Sequence, residues 1–242
     1  MAHPLRHDRG VKVIGLLGGM SWESSIEYYR VVNERVRERL GGPHSAHCVL
    51  YSVDFAEIER MQSDGRWDEA AAVLRAAAQA LVRAGAEVIV LCTNTMHKVA
   101  DDLGVPLLHL ADTTATAVRR AGLTRVGLLG TAFTMEQDFY TGRLAAHGLD
   151  VLVPDPDDRA LVHRVIYDEL VLGVTREPSR QSYREVIARL VDRGAEGVIL
   201  GCTEIELLIT QPDSPVPVFP TTRLHAQLAV DVALGDDLPR AG

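Results

Sequence analysis

The strongest constraint in this sequence is that it repeats itself. Ile14-Gly15-Leu16-Leu17-Gly18 returns as Val126-Gly127-Leu128-Leu129-Gly130, 112 residues later, and Glu27-Tyr28-Tyr29 returns as Asp138-Phe139-Tyr140 at an offset of 111. AGAEVIVLCT (84–93) matches RGAEGVILGC (193–202) without a gap at an offset of 109, and Thr113-Thr114 is echoed by Thr221-Thr222 at 108. Such a repeat means two copies of one architecture. Within each copy, short β-branched runs alternate with long helical patterns. KVIGLLG (12–18), HCVLYSV (47–53), EVIVLC (87–92) and VPLLHL (105–110) read as strands, with helices over Ile26–Leu40, Trp67–Arg83 and Thr113–Arg120. In the second copy RVGLLG (125–130), GVILGC (197–202) and PVPVF (215–219) read as strands, with helices over Met135–His147, two more within 158–193, and one at the end. This alternation predicts an α/β fold of two pseudo-symmetric lobes, each a mainly parallel sheet flanked by helices. Residues 1–111 with 215–242 are expected to form one lobe and 112–214 the other, while PDPDDR (154–159) joins a strand to a helix inside the second. Ligands of open parallel sheets bind beyond the carboxyl ends of strands, so the segments after Leu17, Leu91 and Leu200 are expected to face a cleft between the lobes.

Composition excludes several classes of partner. Apolar residues make up 47% of the 242, which suits a chain with a substantial core. The net charge of −8 arises from acids and bases mixed along the chain, with no basic stripe to neutralise phosphates, so nucleic acid is not an expected partner. Apolar runs such as Val88–Cys92 fall far short of the roughly 20 residues that span a bilayer, and MAHPLRHDRG lacks the apolar stretch of an export signal. A cytoplasmic protein without membrane contact is expected. Three widely spaced cysteines, Cys48, Cys92 and Cys202, fit neither a disulfide framework nor a CxxC metal site. No metal is expected, because the nine histidines form no HExxH or HxH group.

The candidate chemistry lies where strands end. In GCTE (201–204) a cysteine ends a strand, and Thr203 and Glu204 open what reads as a helix, whose N–H groups would lower the thiol pKa from about 8.5 toward neutrality. The competing reading of Cys202 is a small buried hydrophobe. Cys92 is out of register with it. The gapless repeat pairs Cys92 with Gly201 and Thr93 with Cys202, and successive strand residues point to opposite sides. Thr93 is therefore expected to face the cleft opposite Cys202, with Cys92 packed into its own lobe; the alternative is a bulge that brings Cys92 to the site. Asn94-Thr95 and Thr203-Glu204 offer hydroxyl, amide and N–H groups that could hold a carboxylate, or could simply cap helices. In GGMSWES (18–24), Ser21 reads as an N-cap and Met20 as a ligand-contacting loop residue, and Thr134-x-x-Gln137 matches a capping box. No nucleotide-phosphate motif is present. Lys12 and Lys98 are the only lysines that could anchor pyridoxal, and neither is well placed for it. His97 reads as a hydrogen-bonded helix histidine, and the Glu- and Arg-rich stretch 167–193 as a solvated face.

Together GLLGGMSWES, CTNTMHK and GCTE resemble the aspartate/glutamate racemase family, in its bacterial amino-acid racemase branch, over almost the whole chain. The resemblance implies two facing Rossmann-like lobes, no cofactor, and two thiols flanking the Cα of a bound amino acid. One thiol removes the α-proton and the other returns a proton from the opposite face. Cys202 matches the second-lobe thiol, and Thr93 stands where the first catalytic cysteine is usual. Asn94, Thr95 and Thr203 match carboxylate-binding positions, and Glu204 and Met20 belong to the same matched motifs. A threonine hydroxyl is far less acidic than a thiol, so the resemblance implies a chemically asymmetric site in which Cys202 acts on the L-isomer. Two further departures bear on specificity. SVDFAEIE (52–59) lacks the Pro-Asp-Arg-like segment that holds a distal carboxylate in aspartate racemases, and Pro220 stands where Asp often precedes Thr-Thr. The expectation is a cofactor-independent amino-acid racemase acting on aspartate, glutamate or a broader range. A homodimer is expected from the resemblance and from how common two-fold dimers are. The alternatives are related carbanion chemistry in the same fold, as isomerase or decarboxylase, and a non-catalytic two-lobed amino-acid-binding protein; a pyridoxal enzyme would depend on Lys98.

Overall fold

The computed structural model describes residues 11–236, so the start MAHPLRHDRG and residues 237–242 lie outside the described residues. The first half runs β1 (Ile14–Gly18), α1 (Trp22–Leu40), β2 (Cys48–Ser52), α2 (Phe55–Ser63), α3 (Trp67–Arg83), β3 (Val88–Leu91), a 3-10 segment (Thr95–Leu103), β4 (Leu107–Leu108) and α4 (Leu110–Arg120). The second runs β5 (Arg125–Gly130), α5 (Ala132–Glu136), α6 (Asp138–Ala146), β6 (Asp150–Leu152), α7 (Pro156–Asp168) and a 3-10 turn (Leu170–Leu172). It continues with α8 (Glu177–Asp192), β7 (Gly197–Gly201), α9 (Ile205–Leu208), a 3-10 turn (Gln211–Asp213), β8 (Val218–Pro220) and α10 (Thr221–Ala233). Two four-stranded sheets result, ordered β2-β1-β3-β4 and β6-β5-β7-β8, and every pairing is parallel.

The repeated I/V-G-L-L-G has a packing explanation. The leucines of β1 and β5 are fully buried between helices. The first glycine lets a helix approach: a Cβ on Gly15 would fall 2.7 Å from Ala86 Cβ and 3.3 Å from Leu81 Cβ, and one on Gly127 would fall 2.9 Å from Leu190 Cδ1. The second glycine clears the turn into the next helix, because a Cβ on Gly18 would fall 2.9 Å from Ser25 Cβ and one on Gly130 would fall 3.1 Å from Thr134 Cβ. Gly15→Ala should therefore lower stability by about 1–3 kcal/mol through overpacking. A urea midpoint equal to that of the parent protein would contradict this.

The two halves exchange helices. α4 follows β4 of the first sheet, yet Leu110, Ala111, Ala115 and Val118 are buried in the core of the second lobe. α10 follows β8 of the second sheet, yet Ala226, Ala229, Val230 and Ala233 are buried with Tyr28 and Val32 of α1 in the core of the first.

Several expectations are corrected. β8 pairs with β7, so 218–220 belongs with the second lobe, and only the helix of the tail crosses to the first. Register also removes the Thr-Thr echo. Leu108 pairs with Val90 and Phe219 with Ile199, an offset of 111, so Thr221 opens α10 while Thr113 lies a turn inside α4. The helix expected over Met135–His147 breaks at Gln137, whose backbone is extended at φ −108° and ψ 143°. Thr131, not Thr134, is the N-cap of α5, accepting the Thr134 N–H at 3.3 Å. The two helices expected within 158–193 are α7 and α8, and the Glu- and Arg-rich stretch 167–193 covers the end of the first, a 3-10 turn and the second, whose Tyr183, Val186, Ile187 and Leu190 are buried. β6 is the strand that PDPDDR joins to α7, while no helix is expected over α2 from the sequence pattern. Among the described residues, no helix is long and apolar enough to cross a membrane.

Candidate active site

β1, β3, β5 and β7 all end toward the seam between the lobes. In register, Leu17 pairs with Leu91 and Leu129 with Leu200, so the residues after Leu91 and Leu200 leave the sheets at matching points. A cavity lies there, lined by Met20, Thr93, Asn94 and Thr95 from the first half and by Thr131, Cys202, Thr203 and Glu204 from the second. Every residue expected at the site is therefore at one cavity, except Cys92. That residue is fully buried in the core of the first lobe, with its Sγ 3.7 Å from the Val90 carbonyl. The one-residue shift between the halves holds in three dimensions, and the chain has no bulge that brings Cys92 round.

Cys202 and Glu204 form a pair. The thiol donates to Glu204 Oε2 at 2.9 Å, while Oε1 accepts from Ser21 Oγ at 2.6 Å and Ser24 Oγ at 2.7 Å. Both serines lie on the first turn of α1 or just before it, so the first lobe grips a carboxylate of the second. Ser21 is also the N-cap of α1, as its place in the sequence suggests. The expected lowering of the Cys202 pKa is reversed: burial, then the adjacent Glu204 charge, push the thiol well above its ordinary value. The helix expected to supply a compensating dipole is α9, a single turn starting at Ile205, and its field is too small to offset burial beside an anion.

On the other side, Thr93 is held through its backbone. His97 Nε2 accepts the Leu110 N–H at 3.2 Å, so Nδ1 carries the ring proton and donates to the Thr93 carbonyl at 2.7 Å. Thr95 and Thr131 hydroxyls meet across the lobes at 3.0 Å. The cavity as it stands has about 20 Å³ of free space, enough for about one water.

The family model for Asp/Glu/Hydantoin racemases matches residues 17–229. The chain belongs to that family. A structure from Yersinia pestis, provisionally labelled an Asp/Glu racemase, is 56% identical with a TM-score of 0.86, over 92% of this chain and 99% of that one. An aspartate racemase homologue from Pyrococcus horikoshii is 36% identical with a TM-score of 0.80, over 92% and 99%. The Picrophilus torridus aspartate racemase, 20% identical with a TM-score of 0.73 over 94% and 96%, shares the fold.

In this racemase-family protein several cavity residues had gone unseen in the sequence. Thr131 could have been found, since it occupies in the second half the N-cap place that Ser21 occupies in the first. Phe55 and Gln62 come from α2, and Ile166, Tyr167 and Val171 from the end of α7 and the turn after it. Nothing in their spacing pointed inward. Lys98 does not line the cavity; its Nζ donates to Gln137 Oε1 at 2.7 Å and sits 4.0 Å over the Trp67 ring. Among the described residues, no group of three or more His, Cys, Asp or Glu is arranged to hold a metal.

Proposed function

We propose that this protein is a pyridoxal-independent amino-acid racemase in which Cys202 and Thr93 act on opposite faces of the substrate Cα. The single observation that carries the reading is that one cavity between the lobes is lined by both Cys202 and Thr93, each two residues past the matching leucine of its strand, Leu200 and Leu91, while Cys92 is sealed in the core. Racemisation needs an acid and a base on opposite sides of one carbon, and a pseudo-twofold pair of strand ends supplies two such positions.

The pair formed by Cys202 and Glu204 suits the base. A buried thiol with a raised pKa is a poor resting thiolate, but its proton already points at a carboxylate oxygen. When the L-substrate displaces water and places its α-hydrogen at Sγ, the thiol proton passes to Glu204 and the sulfur takes the α-proton. The electron pair left on Cα spreads into the substrate carboxylate, which the Thr95 and Thr203 hydroxyls and nearby backbone N–H groups stabilise. The Thr93 hydroxyl then gives its proton to the opposite face, and as the lobes open solvent returns a proton to Thr93 and takes up the one left on Glu204, which resets the site. Lys98, tied to Gln137 and Trp67 away from the cavity, is no candidate for a Schiff base.

The test is α-proton exchange in deuterated water across the L- and D-forms of the common amino acids, with malonates and maleate alongside. Exchange should be faster from the L-form than from the D-form. Thr93→Ala should lose about 10²-fold or more of racemisation while Cys92→Ser retains it. Equal exchange from both enantiomers, or activity lost in Cys92→Ser and kept in Thr93→Ala, would refute the assignment.

A further inference from the structure

The cavity has two kinds of wall. The segments that follow β3, β5 and β7 contribute hydroxyl, amide, thiol and carboxylate groups, whereas α2, the end of α7 and the turn after it bring in Phe55, Gln62, Ile166, Tyr167 and Val171. On this second wall the only polar side-chain atoms are neutral. Gln62, 4% exposed, donates from Nε2 to Met96 Sδ at 2.9 Å, and its Oε1 accepts from the Tyr167 hydroxyl across the lobes at 3.5 Å. Among the described residues, no arginine, lysine or histidine lines the cavity. The cations carried by the same two helices, Arg60 on α2 and Arg164 on α7, are exposed at the surface.

The charge of this wall decides which side chain it takes. With free space for about one water, the cavity leaves a side chain held there little hydration. A carboxylate that gives up its hydration needs a cation or several fixed donors in exchange. The wall supplies neither, and the nearby Glu204 carboxylate repels a second anion. The Tyr167 hydroxyl responds to the same surroundings: burial first, and then Cys202 when ionised, Glu59 and Glu204, push its pKa well above the ordinary value. An uncharged side chain meets none of these penalties and gains apolar contact with Phe55, Ile166 and Val171. Resting on the racemase reading above, we propose that this wall is the side-chain subsite and that it selects α-amino acids with an uncharged, largely apolar side chain over aspartate and glutamate. Phe55 and Val171, from opposite lobes, are the residues that determine specificity, since each puts hydrocarbon on a wall where an acidic substrate needs a cation.

The rate of α-proton exchange in deuterated water, taken as kcat/KM for L-glutamine, L-methionine and L-glutamate, tests it. Glutamine and glutamate have the same size and differ in charge, so their ratio isolates the charge. Both uncharged probes should exceed glutamate by about tenfold or more, the least that an unpaired, poorly hydrated carboxylate should cost. Phe55→Arg places a cation on the wall and should move the ratio toward glutamate by about tenfold. Because both probes are read on the same variant, a general loss of activity cancels. Val171→Lys makes the same prediction from the other lobe should Phe55→Arg fail to fold. Glutamate exchanging as fast as glutamine or faster in the parent protein, or a ratio that neither variant moves toward glutamate, overturns the proposal while leaving the racemase reading in place. Absence of exchange for every amino acid with the parent protein would instead sink the racemase reading and this one with it.

Discussion

Cys202→Ala should abolish α-proton exchange, by about 10³-fold or more, without unfolding the protein. The thiol is 8% exposed and its loss removes few packing contacts at the cavity wall, so the thermal midpoint should move by no more than a few degrees. Cys202→Ser is expected to be almost as inactive, since a serine hydroxyl beside Glu204 is far less acidic than a thiol in the same place. Cys92→Ala makes the opposite prediction: it leaves a small void in the first-lobe core and costs about 1 kcal/mol of stability, while exchange persists. The pH profile adds a check on cause. Because burial and Glu204 raise the Cys202 pKa, alkylation of this thiol should be slow at neutral pH and accelerate into the alkaline range. Rapid alkylation of Cys202 at pH 7 would show that the thiolate is the resting state and that Glu204 is not its proton acceptor.

The second large effect is acid lability. Behind Thr93 lie three histidines, with ring centroids 4.6 Å apart for His97 and His109 and 5.8 Å for His97 and His225. Each uses one ring nitrogen as an acceptor. His97 accepts from the Leu110 N–H, His109 from the Ala111 N–H, and His225 Nδ1 from the Tyr28 hydroxyl while its Nε2–H donates to the Leu108 carbonyl. Protonation would destroy the bonds from the Leu110 and Ala111 N–H groups and force the Tyr28 hydroxyl to turn from donor to acceptor. Burial lowers His225 and His109 to about 4 and takes His97 well below its usual value; Arg143 lowers His109 further, while Asp112 and Asp101 oppose it.

The unfolded chain binds protons at these rings near pH 6.5, whereas in the fold His225 and His109 do so only at about pH 4 and His97 only well below its usual value. Stability is therefore lost as pH falls between those values and levels off below. For His225 the loss is about 3 kcal/mol. Glu206, held up at about 8 by burial, works the other way from about pH 8 down to its ordinary 4.5, because only its folded form is protonated there, so below pH 6.5 it offsets one of the three rings and leaves the slope of about two groups. Urea midpoints at pH 7.5, 6 and 5 should fall in that order, and His225→Gln should flatten the slope relative to the parent. A midpoint independent of pH over that range would mean that the rings titrate in the fold as freely as in solution.

The parts of this molecule that could be read from the sequence are those where periodicity and repetition coincide. Trp67–Arg83 and Arg125–Gly130 have the predicted bounds because apolar spacing and flanking glycines agree at both ends. The shift that places Thr93 rather than Cys92 at the cavity came from the register of two gapless ten-residue segments, and strand geometry made that register decisive. Other features depend on tertiary packing. The break at Gln137 leaves that side chain to accept from Lys98, a contact between lobes that no local pattern encodes. The inward faces of Gln62 and Tyr167 follow from where α2 and α7 dock. The charge state of Cys202 was misread because the strand end suggested a helix dipole, while burial and the Glu204 side chain decide the result.

The exchange of α4 and α10 between the sheets has a consequence for how such a site could come about. Each half of the chain has the topology of one subunit in a helix-swapped dimer: neither closes its own core, and each completes the other. Two separate identical subunits would have to carry the same residue at both strand ends. Two halves joined through the turn after α4 are free of that restriction. A single polypeptide can keep the shared frame and still place a hydroxyl opposite a thiol, turning a symmetric cleft into one with a direction.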